Sequence, residues 1–313
     1  MQDLANRLTR MKKHLGKWAR RRGITCYRLY ERDIPEYPFI ADLYEDHMIL
    51  TELASEAVQS RPEYAAWKAE VVERFRSTWE IPHDKLHLKT RFRRAEGEQY
   101  EKLADGESVI VHENGLKFII YPENWLDTGL FLDHRNLRAR VRELAQGKAM
   151  LNLFCYTGSF SVYAAAGGAS LVHSVDLSAK YLGILEENLK LNGLQNTPHE
   201  NIRLDSREYL QQAPAQLYDI IVCDPPVFSR SRKQERDFDV LRDHPQLIRD
   251  CLRVLKPGGV LFFSTNFRKF RIRFPEEGDG YPKTQVKNIT AQTIPEDFRN
   301  KWIHACYEIR HGA

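Results

Sequence analysis

The residues most able to do chemistry in this chain fall after four apolar runs. Leu151-Asn152-Leu153-Phe154-Cys155-Tyr156-Thr157-Gly158-Ser159-Phe160 reads as a strand entering a glycine turn and then a helix, a setting in which backbone approaches a ligand closely. About twenty residues further on, His173-Ser174-Val175-Asp176-Leu177 places a carboxylate suited to bridging two ribose hydroxyls. Asp205-Ser206 closes the third run and suits an adenine amino group, and Asp224-Pro225-Pro226-Val227-Phe228 closes the fourth. There an acceptor, two rigid prolines and an aromatic ring together suit the edge and face of a planar base. Taken singly, Asp176 or Asp205 reads as a turn or helix-cap residue, and an NAD enzyme could share the ribose acid. The G-x-G-x-x-G pattern of dinucleotide binding is absent. Four consecutive strand ends, with neither a phosphate-binding lysine nor a second glycine in the turn, point instead to S-adenosylmethionine.

These residues need a scaffold that gathers strand ends. After residue 127 strands are predicted at 149–154, 171–175, 202–204, 220–223 and 260–264, with helical stretches between them. Parallel strands joined by right-handed helical crossovers form a doubly wound α/β sheet, Rossmann-like and mostly parallel, with its ligand at the carboxyl ends. Lys256-Pro257-Gly258-Gly259 reads as a structural turn before the last of these strands. Upstream, strands at 26–30, 40–44, 85–92 and 108–121 with a helix near 62–79 suggest a small α+β unit. Glu113-Asn114-Gly115 marks a hairpin, and 95–106 reads as a flexible charged connection. Leu4, Leu8, Met11, Leu15 and Trp18 recur at helical spacing until Gly23. The expected division is a basic helix at 1–24, an α+β accessory domain at 25–122 and a cofactor domain at 123–313.

Composition is that of a globular protein, with 42% hydrophobic and 29% charged residues. No apolar run approaches the roughly 20 residues of a membrane span, and the basic N-terminus leads into no apolar signal region, so the expected compartment is the cytoplasm. The five cysteines are far apart and form no C-x-x-C pair, which argues for reduced thiols, no disulfide framework and no metal site. The net charge of +4 is unevenly spread: residues 1–22 carry +7 and the remainder about −3. Arg20, Arg21 and Arg22 in that helix, Arg230, Arg232, Lys233 and Arg236 after the Pro-Pro turn, and Arg268, Lys269, Arg271 and Arg273 after Asn266 suit a polyanion such as RNA. Phe267, Phe270 and Phe274 interleave the last set, as stacking residues would. A solvated helix face is the alternative for the first group.

Thr128-Gly129-Leu130-Phe131-Leu132-Asp133-His134-Arg135 resembles the T-G-x-F-L-D-x-R element of bacterial 23S rRNA methyltransferases of the class I type. The segments Ala5-Asn6-Arg7-Leu8, Lys17-Trp18-Ala19-Arg20, 27–37 and 266–309 further resemble the K half of the K/L enzymes of that group, and the resemblance covers nearly the whole chain. It implies methylation of guanine N7 in the peptidyl-transferase region of 23S rRNA, or of a large-subunit precursor, with an L-type methyltransferase as a possible separate partner. It implies further that Phe154, Tyr156, Thr157, Gly158 and Asp224 line the cofactor, Asp176 and Leu177 its ribose, and Asp205 and Ser206 its adenine. Phe131, Asp133 and Arg135 would close the pocket, Arg135 facing the cofactor carboxylate or a structural acid.

Cytosine C5 methylation requires a thiolate to add first, whereas guanine N7 offers a lone pair and loses no proton. The cytosine enzymes of the group carry their cysteine just after the last motif strand, where this chain has Ser264-Thr265-Asn266. Cys223 precedes Asp224 within an apolar run and reads as a small buried hydrophobe. The expected catalytic set is therefore Asp224, Pro225, Pro226 and Phe228, with Asp224 placing the base edge and Phe228 stacking on the base. A cytosine-C5 enzyme and a noncatalytic RNA-binding assembly module are the competing readings.

Overall fold

A computed structural model describes residues 1–53, 56–60, 62–90, 107–123, 127–229, 237–274 and 284–312. The chain forms two units, Met1–Leu132 with Glu296–Asn300, and Asp133–Pro295 with Lys301–Ala313. The division falls at Leu132 rather than between 122 and 123. The first unit includes the basic helix, which shares one core with the α+β region.

In the first unit α1 (Gln2–Arg22) buries the expected stripe, with Leu4 and Leu8 fully inaccessible. Burying such an aliphatic chain contributes roughly 1.5–3 kcal/mol. The stripe meets Leu29 of β1 (Cys26–Glu31), Phe39 of β2 (Phe39–Tyr44) and Leu50 of β3 (His47–Glu52). After the single turn α2 (Glu56–Gln59), helix α3 (Tyr64–Trp79) adds Val71 and Phe75 to that core and leads to β4 (Leu86–Thr90). The sheet order is β1-β2-β3-β4, with only the β3–β4 pair parallel. Strand β3 was not foreseen. The hairpin β5 (Val109–Glu113) and β6 (Leu116–Ile120) turns through Asn114 at φ 51° and Gly115 at φ 78°, the left-handed pair of a type I′ loop. Several charges on α1 are engaged within the unit: Arg7 reaches the buried Asp33 at 2.9 Å, Lys12 reaches Glu80 at 3.2 Å and Arg22 reaches Glu296 at 2.8 Å. Arg20, Arg21 and Arg22 form the last turn of α1, where cations complement the helix dipole.

The second unit is built on a seven-stranded sheet ordered β14-β15-β13-β10-β7-β8-β9. Its strands are β7 (Ala149–Leu153), β8 (Leu171–Asp176), β9 (His199–Arg203), β10 (Tyr218–Cys223), β13 (Leu255–Thr265), β14 (Thr284–Asn288) and β15 (Ala305–His311). Five neighbours run parallel from β9 to β13, and β15 is antiparallel to both β13 and β14. Helices α4 (Arg135–Leu144), α5 (Ser159–Ala166), α6 (Ala179–Leu191), α7 (Ser206–Gln212) and α8 (Val240–Val254) alternate with the parallel strands. This is the expected doubly wound α/β sheet. Every residue of β7 is buried, which explains its largely apolar sequence; the one polar residue, Asn152, donates to the buried Ser161 hydroxyl at 2.8 Å. The Pro-Gly-Gly turn lies within β13: Tyr218 pairs with Leu255 but Ile220 with Val260, so 257–259 bulge from the register. Because the chain winds outward from β7 to β9 and returns to β10, the strand order reverses between β7 and β10. A ligand crevice is expected at that switch.

Leu8→Ala should cost about 2–5 kcal/mol. Amide hydrogen exchange is the suitable probe: protection should fall across β1 to β4 and remain across β7 to β10.

Candidate functional site at the sheet switch point

Leaving β7, the backbone takes left-handed φ values at Phe154 (54°), Tyr156 (51°) and Gly158 (74°), which folds the loop sharply before α5. The loop is pinned from several sides. Phe154 N–H donates to Ser206 Oγ at 3.2 Å, Cys155 N–H to the Val175 carbonyl at 3.1 Å and Tyr156 N–H to Asp176 Oδ2 at 3.0 Å. Asn188 of α6 donates to the carbonyl of the buried Thr157 at 3.1 Å. A Cβ built on Gly158 would lie 2.1 Å from Leu185 Cδ1 of α6, so glycine is required there by packing as well as by φ.

Asp176 stands at the end of β8, where its second oxygen accepts from Ser178 N–H at 2.9 Å. Burial raises its carboxyl above the ordinary range, against the lowering effect of these backbone N–H groups. Leu177 beside it is exposed. Asp205 acts as a helix cap: Oδ1 accepts from the backbone of Arg207 at 2.9 Å and of Glu208 at 3.3 Å. Ser206, through its bond to Phe154, joins the end of β9 to the end of β7.

At the end of β10, Asp224 keeps 28% of its side-chain surface open. Its Oδ1 accepts from the fully buried Ser264 hydroxyl of β13, and its Oδ2 lies 3.3 Å from His134 Nε2. Desolvation alone would raise the Asp224 carboxyl, but His134 and the Ser264 hydroxyl outweigh it and hold the group below its usual range. Burial alone would lower His134, yet the Asp133 and Asp224 carboxylates outweigh it and raise the imidazole. The His134 ring stacks on His304 with centroids 4.6 Å apart and planes 9° apart. His304 contacts Asp133 Oδ2 through Nδ1 at 2.8 Å and Thr293 Oγ1 through Nε2 at 2.9 Å. Asp133, His134 and His304 thus place potential metal-ligand atoms within 4.8 Å of one another. The stacked rings lie in near-parallel planes, so their lone pairs do not converge on one ion, and both His304 nitrogens are already engaged.

Of the other expected site residues, Pro225 is buried and Pro226 half-buried. Phe228 is half-buried in β11 (Phe228–Ser229), which pairs with β12 (Phe238–Asp239). Arg135 is only 3% exposed, and Phe131, in the first unit, is exposed. Arg268 and Lys269 are exposed; Arg230, Arg232, Lys233 and Arg236 lie outside the described residues. Phe270 does not serve as an exposed stacking residue. It is 5% exposed and packs on Phe263, His244 and Tyr307, because an aromatic in the turn after β13 gains more from that core than from solvent. Cys223 is fully buried, and desolvation together with Cys251 pushes its thiol well above the usual range, so it is no nucleophile. His134 and His304 escaped sequence reading. Only the adjacency of His134 to the quoted Asp133 hinted at either.

Residues 60–275 match the family model described as S-adenosylmethionine-dependent methyltransferase. The chain belongs to that family. It is 46% identical to ribosomal RNA large subunit methyltransferase K of Neisseria meningitidis, over 98% of this chain and 86% of that protein. It is 41% identical to methyltransferase K/L of Vibrio cholerae, over 99% of this chain but only 44% of that longer protein. Among solved structures, a protein assigned as a methyltransferase and crystallised with SAH is 25% identical with a TM-score of 0.77, covering 98% of this chain and 81% of that one.

The methyltransferase takes S-adenosylmethionine, and the residues present fit it. The left-handed turn brings backbone close to the switch point, and Asp176 is oriented by two N–H bonds that leave its oxygens with further acceptor capacity. Gly158→Ala should add strain of about 1–2 kcal/mol to an overpacking penalty of about 1–3 kcal/mol. Thermal denaturation and cofactor titration should both register it, with partial recovery when Leu185→Ala opens the space. His134→Ala removes the group that holds Asp224 down, so the Asp224 carboxyl should rise. The acid limb of the pH–rate profile should then move to higher pH, and an unmoved limb would exclude Asp224 as the group that titrates.

Proposed function

We propose that this methyltransferase modifies large-subunit ribosomal RNA at guanine N7. The observation that carries the chemistry is the environment of Asp224: an ionised carboxylate, partly open, at the switch point and without an accessible thiol. Ser264, in the Ser264-Thr265-Asn266 stretch that ends the last motif strand, is buried and bonded to Asp224. The similarity to the K and K/L proteins supports the RNA class.

When bound, S-adenosylmethionine supplies a methyl carbon on an activated sulfonium. The protein's own task is alignment and charge management. Guanine N7 would take that methyl group with its own lone pair, the displaced electron pair staying with the cofactor, and no proton would leave the base. The purine therefore gains a positive charge. Asp224, kept ionised by His134 and Ser264, accepts hydrogen bonds from the donor edge of guanine and opposes that charge. Pro225 and Pro226 hold the following backbone, and Phe228 offers a ring face. Phe154, Tyr156, Thr157, Gly158, Asp176, Leu177, Asp205 and Ser206 would hold the cofactor, with Phe131, Asp133 and Arg135 beside it. Of these, Asp133 and Asp205 act in part through His304 and the α7 cap. The deep A-form major groove withholds N7 from side chains, so the target guanosine must be unpaired or flipped out. Arg20, Arg21, Arg22, Arg230, Arg232, Lys233, Arg268 and Lys269 would carry the RNA backbone. The reaction is proposed to take place in the cytoplasm, on 23S rRNA or its precursor, and an L-type partner is an open addition to it.

Unmodified 23S rRNA incubated with enzyme and labelled cofactor should, after borohydride and aniline, break at the methylated residue. Label incorporation without that scission would reject N7. Asp224→Ala should lower kcat by roughly 10- to 150-fold, the loss of one hydrogen bond to a charged group at about 1.5–3 kcal/mol, while cofactor affinity stays near wild type.

A further inference from the structure

Beside the carboxyl end of β13, the second unit contains a cavity of about 470 Å³, within the roughly 300–1,000 Å³ range of small-molecule sites. Three segments line it: the turn after β13 with Phe267 and Lys269, Asn288 at the end of β14, and Lys301, Trp302 and His304 before β15. It is distinct from the cradle that follows β7 and β8. Trp302 keeps 68% of its surface open, unusual for a side chain with so much apolar area. The indole is flanked by the exposed Lys301, with the exposed Lys269 on another wall.

Lys269 is held in a turn closed by Phe270 N–H donating to the Phe267 carbonyl at 3.2 Å, with φ 63° at its third position. Glycine or asparagine ordinarily fills that position. A lysine held there in the left-handed region is the kind of strain that accompanies a working site. Asn288 Oδ1 accepts from Thr290 N–H at 3.0 Å, which leaves the amide nitrogen as the donor this side chain offers. The floor is His304, whose nitrogens are taken by Asp133 and Thr293 and whose ring covers His134. His304 thus connects the cavity wall through His134 to Asp224.

We propose that this cavity is a nucleotide subsite for the residue adjoining the methylated guanosine. One unstacked base lies on Trp302, its edge meets the Asn288 amide, and Lys269 and Lys301 hold the flanking phosphates. Aromatic stacking with a basic rim is how single-stranded nucleic acid is held with little sequence preference. Asp224 does not line the cavity and is reached from it through His304 and His134, so the occupant is a neighbour of the target. This inference rests on RNA being the substrate.

The test compares wild type, Trp302→Ala, Trp302→Phe and the double variant Lys269→Ala with Lys301→Ala on unmodified 23S rRNA. RNA affinity by filter binding, kcat, KM and cofactor affinity by calorimetry are measured separately. Trp302→Ala should weaken RNA binding roughly 5- to 150-fold, as loss of stacking on one base does, raising KM with little change in kcat. Trp302→Phe should restore most of the affinity. The double lysine variant should flatten the salt dependence by about one to two contacts. Cofactor affinity should be unaltered in all of them. Unchanged RNA affinity in Trp302→Ala would overturn the subsite, as would weakened cofactor binding, which would assign the cavity to the cofactor instead. Failure of the wild type to methylate rRNA would reject the substrate reading itself, and that result appears before any variant is made.

Discussion

A carboxylate at the end of a central parallel strand is stable only if something meets its charge, and in this protein that requirement fixes the site. Asp224 is met by Ser264 from the neighbouring strand and by His134 from the segment that opens the second unit. His134 in turn leans on His304, at the start of an antiparallel strand, and His304 on Asp133. Removing one partner of such a pair leaves a charge stranded in low dielectric, at a penalty of several kcal/mol. The ends of β10 and β13, the lead into α4 and the entry to β15 are therefore set against one another by a single electrostatic demand.

The parallel half of the sheet is legible because β7, β8 and β10 are largely buried apolar runs that stop at a polar residue with a task, while β9 shows only the short Ile202–Leu204 stretch before Asp205. Asp176, Asp205 and Asp224 were found for that reason. Their division of labour was less legible: Asp205 was expected to face a base, while its Oδ1 is drawn into capping α7, a local role always open to an aspartate before a helix. Strand β14 was not located because Thr284–Asn288 is largely exposed and has no apolar rhythm. His304 pairs with a residue far from it in sequence, and no local pattern encodes such a contact. Trp302 sits in the mixed stretch Asn300-Lys301-Trp302-Ile303-His304, where no periodicity marks it. Phe270 interleaves the basic residues as Phe267 and Phe274 do, and that spacing looks alike whether the ring turns inward or outward.

The charge pattern is reinterpreted in the same way. A segment of +7 at the N-terminus suggested a broad polyanion surface, but part of it is balanced locally. Arg7 neutralises a buried aspartate, and Arg22 meets Glu296. Arg20 and Arg21 remain exposed, as do Arg268 and Lys269 of the second unit. Any electrostatic steering by these groups is correspondingly smaller than the bare count implies.

The turn after β7 exists only where distant parts of the second unit already meet. Its backbone is held by Ser206, Asp176 and Asn188, residues contributed by three later stretches of chain, and its glycine is packed against Leu185. Such a cradle needs α6 and α7 docked on the sheet, so a state in which either has come away cannot present it. A cofactor that recognises it therefore binds the native state alone and stabilises it by mass action. In a cell, the occupancy of this turn becomes a determinant of how long each copy of the enzyme survives.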